Sequence, residues 1–347
     1  MIEKKKILVT GGAGYIGSHT VVALKEANYS PVLVDNFSNA EKSVIPALEK
    51  ILGEPVKLYE GDCTDSKFME HVFAQEKNIE GVIHFAAYKA VGESVQEPLK
   101  YYENNVYSLI LLLKIMERFQ VRNLVFSSSC TVYGEPDSLP VTEAFPKKPA
   151  ESPYGNTKQI CEEIIEDVCN AGNKLPKGLK AISLRYFNPV GAHPSSLIGE
   201  LPLGVPNNLV PFVTQTAAGL RDKLTVFGDD YDTPDGSCIR DYIHVVDLAN
   251  AHVKALGYLE KQNENVFYDI FNVGTGQGNS VLELIRTFEK VTGEKLSYEI
   301  GPRRQGDVEK VYANVDKANQ KLDWHVQYSL EDSLRDSWNW QKKLGDA

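Results

Sequence analysis

The chain has 347 residues, 42% of them apolar, with 37 basic against 47 acidic side chains for a formal charge of −10. That length supports a sizeable buried core without disulfide or metal staples, and corresponds to about two domains or one large α/β unit with an added lobe. The acidic balance argues against general nucleic-acid or anionic-membrane binding, and the longest apolar run, Leu109–Leu113, is far below the ~18 residues of a membrane span. Five cysteines (Cys63, Cys130, Cys161, Cys169, Cys238) without CxxC spacing read as reduced thiols in a cytoplasm. The amino-terminal MIEKKK runs into ILVTGG with too short an apolar stretch for a secretory leader, and scattered histidines predict no metal site.

In chain order, β-rich runs at Ile7–Thr10, Pro31–Val34, Val56–Tyr59, Gly81–Phe85, Asn123–Ser127 and Ala181–Arg185 alternate with helical patterns over 16–28, 41–52, 65–76, 98–119 and 153–172. This alternation predicts an α/β fold, a parallel sheet with helices on both faces. The helix over 98–119, with its Leu109–Leu113 stripe, reads as core or as half of a subunit interface. From Phe187 to Asp235 the chain is rich in Gly, Pro, Asn and Asp, with one helix near 209–220. A strand near 239–243, a helix from Val245, a strand near 267–273 and helices near 280–292 and 329–343 follow. We expect residues 1–186 to form a nucleotide-binding domain and 187–347 a smaller, interleaved α/β lobe, with segments near 239–275 returning to the first.

Three motifs carry chemistry. Gly11-Gly12-Ala13-Gly14-Tyr15-Ile16-Gly17 follows the first strand and opens the first helix, where glycines let the backbone approach a pyrophosphate at the helix N-terminus. Asp35, 18 residues beyond Gly17 at the end of the second strand, suits an adenosine ribose and favours NAD over NADP. This makes the sheet Rossmann-type and doubly wound; a plain strand-to-helix turn is the alternative. Tyr154-Gly155-Asn156-Thr157-Lys158 puts a phenol and an ammonium on one helix face, so that Lys158 and a cationic nicotinamide ring would depress the phenol and make it a general base. A surface pair is the alternative. Ser127-Ser128-Ser129 leaves the fifth strand at its carboxyl end, where ligands of open α/β sheets bind, unless it is only a serine-rich strand exit.

Together, TGGAGYIGSH, VDNFSN, HFAAYKAVGESV, NNV, FSSSCTVYG, SPYGNTK, LRYFNPVGAHP, PNNLVP, RDYIHVVDLA and PRRQGD occur in the order seen in UDP-galactose 4-epimerases, which are extended short-chain dehydrogenase/reductases. The resemblance runs from Ile7 to about Trp340, and KAVGES, YFNPVGAHP and RDYIHV are far more specific than the glycine loop. It implies a tightly held NAD, contacted by Gly11, Gly14, Tyr15, Ile16, Gly17, Asp35, Asn36, Phe37, Ser38, Asn39, Ala40, Asp62, Cys63, Phe85, Ala86, Ala87, Tyr88, Lys89, Asn104, Ser129, Tyr154, Lys158 and Phe187. It implies catalysis by Ser129 and Tyr154 with Lys158 tuning the phenol. A UDP-sugar would then be bound by Lys89, Ser94, Ser129, Tyr154, Asn188, Asn208, Leu209, Thr225, Val226, Phe227, Arg240, Arg304, Asp307 and Val311. Arg240 and Arg304 suit a diphosphate, since guanidinium offers bidentate, charge-assisted hydrogen bonds.

The implied reaction moves the C4 hydride of the sugar to NAD and back to the other face of a 4-keto intermediate. The 4,6-dehydratases of the same family carry an Asp-Glu pair after the strand-five Ser/Thr, where this chain has Cys130-Thr131; a non-catalytic NAD-binding regulator is a further alternative. Val311 stands where the family carries residues of different bulk, a Tyr there being associated with exclusion of N-acetyl sugars. Asn156, Thr157 and Gln305 depart from common family residues, with small effects expected. The resemblance also implies a homodimer built on the helices over 98–119 and 153–172.

Overall fold

The computed structural model describes residues 4–171, 178–304 and 308–345. Strands β1 (Lys6–Thr10), β2 (Ser30–Asp35), β3 (Lys57–Glu60), β4 (Ile79–His84), β5 (Asn123–Ser129) and β6 (Lys180–Tyr186) fall on the predicted runs, their ends moved by no more than two residues. After them come β7 (Asn188–Val190), β8 (Leu224–Phe227), β9 (Ile239–Arg240), β10 (Tyr242–His244), β11 (Phe267–Val273), β12 (Asn279–Ser280), β13 (Tyr298–Gly301) and β14 (Lys310–Val311). The large sheet has seven parallel strands in the order β11-β6-β5-β4-β1-β2-β3. Strand order reverses beside β1, between β2 and β4, which opens a crevice at the carboxyl ends.

The apolar runs explain the layers. Along β1, Ile7 and Val9 face one side, packing with Val21 and Leu24 of helix Tyr15–Glu26 and Leu248 and Leu256 of helix Val245–Glu260. Leu8 faces the other, with Leu109 and Leu112 of helix Tyr107–Phe119 and Ile165 of helix Pro153–Asn170. Both faces are covered, so the strands read as continuous hydrophobic segments. A third cluster joins helices Leu209–Ala217, Val281–Thr292 and Leu330–Gly345 through Val213, Leu284, Phe288, Leu334 and Trp338.

Two sequence expectations change. The helix over 98–119 is a short turn at Pro98–Tyr101, a π-helical turn at Tyr102–Val106 and a helix only from Tyr107. Its stripe is core: Leu109, Leu111, Leu112 and Leu113 are buried within one chain, and the apolar side chains left exposed nearby include Val91, Val95, Leu99 and Tyr107. The strand near 239–243 divides into β9 and β10, which join different small sheets. Asp241 between them is fully buried and accepts hydrogen bonds from the backbone of Thr275, Gly276 and Ala313, anchoring the divide. Among the described residues no helix is long and apolar enough to cross a membrane, and no cluster of His, Cys, Asp and Glu could hold a metal ion.

Candidate active site

A cavity of about 1600 Å³ lies over the carboxyl ends of β1, β4 and β5 and continues between the sheet and the second lobe. Its floor is the glycine loop. Gly11 has φ +68°, and a Cβ there would lie 2.9 Å from the Ala86 nitrogen. A Cβ on Gly17 would lie 2.1 Å from the Gly11 carbonyl oxygen, so the first helix turn packs on the loop only because Gly17 has none. Helix Tyr15–Glu26 has no side-chain cap and no acid in its first turn, leaving a positive helix end over the cavity. The loop and helix end fit a pyrophosphate. Asp35, nearly buried, accepts from the backbone nitrogens of Ala13 at 2.9 Å and Phe37 at 2.9 Å, so its carboxylate braces the loop. Burial raises its pKa against these bonds. Asp62, although partly desolvated, is held below its usual range by hydrogen bonds from Thr64 and Asn36.

The second component is built by a capped helix. Ser152 Oγ accepts from the Gly155 nitrogen at 3.2 Å and Pro153 occupies the first helical position, so the helix begins one residue before Tyr154. Thr157 Oγ1 donates to the Tyr154 carbonyl at 2.7 Å and accepts from Asn105 Nδ2 at 3.2 Å. Asn105 also exchanges hydrogen bonds with the backbone of Tyr88, so the π-helical turn ties helix Pro153–Asn170 to the β4 exit. Tyr154 hydrogen-bonds Ser129, whose Oγ also accepts from the Thr131 nitrogen at 3.2 Å. Lys158 Nζ donates to the Ser127 carbonyl at 2.6 Å and lies 5.9 Å from the centre of the Tyr154 ring. Burial pushes the Lys158 ammonium down to about 8, with Cys161 and Glu162 pulling the other way. The expected depression of the Tyr154 phenol is reversed in the chain itself: burial, then the neighbouring Tyr186, hold it well above its ordinary value, and the bond from Ser129 only partly offsets them.

Beneath this set, Glu162 on the same helix accepts from Arg185 Nε at 2.9 Å, Arg185 Nη2 at 2.6 Å and Ser128 Oγ at 2.6 Å. Neither this buried pair nor Tyr186, whose hydroxyl meets Ser127 Oγ at the cavity wall, stands out in the sequence.

Most of the predicted contact residues line this one cavity: the glycine loop, Ser38 to Ala40, Asp62 and Cys63, Phe85 to Lys89, Asn104, Phe187 and Asn188, Asn208 and Leu209, Thr225 to Phe227, Arg240, Arg304 and Val311. Two do not. Phe37 turns its ring under Lys42 Nζ, 5.4 Å from the ring centre, while its backbone caps Asp35. Ser94 is fully buried with its hydroxyl on the Val91 carbonyl at 2.6 Å, so its helix borders the cavity through Val91, Gly92 and Val95 instead. Asp307 and Gln305 lie outside the described residues. The two adjacent arginines part company. Arg303 stacks on Tyr231 and bonds Asp230 at 2.7 Å, whereas Arg304 lines the cavity beside Phe227, 5.7 Å from its ring centre. Glu200, which the sequence left in a loop, also lines the cavity.

A family model described as GDP-mannose 4,6 dehydratase matches residues 8–337. UDP-glucose 4-epimerase of Bacillus subtilis is 50% identical over 335 residues, covering 96% of each chain. The chain belongs to the UDP-glucose 4-epimerase family. Among solved structures, the UDP-glucose 4-epimerase of Bifidobacterium longum in complex with NAD+ and UDP superposes with a TM-score of 0.92 at 46% identity over 99% of both chains. The epimerase from Stenotrophomonas maltophila with bound NAD and formylated UDP-arabinopyranose gives 0.93 at 45% identity, again over 99% of both. This family, within the extended short-chain dehydrogenase/reductases, accounts for the pairing of a dinucleotide loop with a Tyr–Lys helix over one cavity.

Proposed function

We propose that the chain interconverts UDP-galactose and UDP-glucose at C4, using NAD held by the glycine loop. The observation that carries this reading is the convergence of Ser129, Tyr154 and Lys158 with the glycine loop and two arginines on one cavity. The chemistry that bound NAD supplies is reversible hydride acceptance at the sugar's C4. The loop amides and helix end would hold its pyrophosphate, and Asp35 and Asp62 would flank its adenosine. Tyr154 Oη, once ionised to the phenolate, takes the proton of the 4-hydroxyl and returns it to the 4-keto oxygen; Ser129 Oγ bridges Tyr154 and the reacting oxygen. Lys158, adjacent in the same buried pocket, supports the phenolate in whichever step it forms. Arg240 and Arg304 hold the diphosphate, so the sugar turns over while its nucleotide stays fixed.

The test is purified protein with UDP-galactose and no added NAD, followed by NMR, with Tyr154→Phe alongside. UDP-glucose formed by the native chain and nearly lost in the variant supports both reaction and base. No conversion even with added NAD sinks the epimerase reading, and activity surviving in the variant removes Tyr154 as base. A dehydratase is disfavoured because no carboxylate stands at Cys130 or Thr131, and burial raises the Cys130 thiol to about 12.

Val311 lines the cavity wall, buried among Val132, Val141 and Phe187, and is much smaller than a Tyr, so UDP-N-acetylglucosamine and UDP-N-acetylgalactosamine are also substrates in this reading. Enzyme competent on UDP-galactose but inert on both would overturn that extension. A homodimer would cover the exposed Leu99 and Tyr107 of the 98–119 segment, and sedimentation at micromolar concentration tests it. The five unpaired cysteines suit the reducing cytoplasm.

A further inference from the structure

Glu200 stands where the two halves of the cavity meet. One carboxylate oxygen, Oε1, accepts from Lys89 Nζ at 3.2 Å and from Asn208 Nδ2 at 2.6 Å. Lys89 comes from the β4 exit of the large sheet, and Asn208 precedes helix Leu209–Ala217 of the second lobe. Asn208 occupies an N-cap position, where an Asn side chain ordinarily bonds the helix backbone; here it makes no cap bond and is turned to Glu200. The backbone at Glu200 is itself fixed, since its carbonyl accepts from Trp340 Nε1 at 3.0 Å and a Cβ on the preceding Gly199 would lie 2.5 Å from the Trp340 ring. The side chain is only 12% exposed, and its charge is felt at the Tyr15 phenol of the glycine loop.

A half-buried carboxylate facing a cavity for diphosphates is unfavourable unless something compensates it. Lys89 supplies the charge and Asn208 a hydrogen bond, so the arrangement orients two binding groups from opposite lobes about a single atom. Resting on the epimerase reading, we propose that Glu200 is a positioning residue of the UDP-sugar site, holding Lys89 and Asn208 at the spacing the bound nucleotide requires. It touches no reacting atom, so its loss weakens binding and leaves turnover at saturation nearly intact.

The test compares Glu200→Ala and Glu200→Gln in the NAD-loaded enzyme by steady-state kinetics with UDP-galactose, calorimetric titration with UDP and the amount of NAD released on denaturation. Glu200→Ala is expected to raise KM and the Kd of UDP about tenfold with kcat within about threefold, while Glu200→Gln, which keeps an acceptor oxygen, recovers most of the loss. Unchanged KM and Kd in Glu200→Ala overturn the proposal. So does an equal fall of kcat and bound NAD in both variants, which would make Glu200 a support of the cofactor half. If the native enzyme does not convert UDP-galactose the epimerase reading fails, and the UDP titration still judges the role of Glu200.

Discussion

The two sides of the cavity are built differently. On the sheet side, Ser129, Tyr154 and Lys158 are buried and already hydrogen-bonded to one another or to β5, on elements whose cores are closed. On the lobe side, Arg304 and Phe227 are exposed and sit on a loop and a four-residue strand. Groups that must meet a transition state are placed in advance, in a dry pocket where their fields are strong. Groups that recognise a soluble ligand remain accessible and lose their water when it arrives.

If that division holds, changes on the sheet side act on kcat and changes on the lobe side act on KM. Tyr154→Phe is expected to lower kcat about 10³-fold with KM within a few-fold, the range of a lost general base. Lys158→Met should lower kcat about 10²-fold, because it removes the ammonium but leaves the Tyr154–Ser129 bond. A large KM effect from either would break the comparison. Arg304→Ala is expected to raise KM for UDP-galactose about tenfold at nearly constant kcat, whereas Arg303→Ala, already engaged by Asp230 and Tyr231, should change it less than about threefold. Equal effects would return Arg303 to the site.

A smaller effect concerns stability. Burial lowers His19 and His84 to about 3 and His252 to about 4, and all three belong to the large-sheet half. Being neutral when folded and near 6.5 when unfolded, they favour unfolding as pH falls from 6.5 towards 3, and have no such effect above 7. By pH 5.5 the loss is on the order of 1 kcal/mol for each histidine. Urea midpoints should therefore be level from pH 8 to 7 and fall by pH 5.5; a midpoint level throughout would contradict neutral burial of these rings.

Legibility followed the range of the interactions. The glycine loop, the Ser152-capped helix and the strand runs are local patterns, and each stands where the residues predicted. Ser94 and Phe37 belong to the right segments, but the sequence could not say that one hydroxyl turns to Val91 and one ring lies under Lys42. The strand at 239–243 was missed as two because Asp241 draws its partners from residues near 275 and 313. Glu200 carried no local signal at all, since its partners lie at positions 89, 208 and 340.

Periodicity, caps and backbone-demanding glycines act over a few residues, so the sequence by itself determined the parallel sheet, the nucleotide loop and the spacing of Tyr154 and Lys158. Only the tertiary structure decided that Glu200 meets Lys89 and Asn208 in the cavity, what the Leu109–Leu113 stripe packs against, and that burial raises the Tyr154 phenol. Those outcomes depend on desolvation and on partners brought together across the chain, and both exist only once the layers have closed.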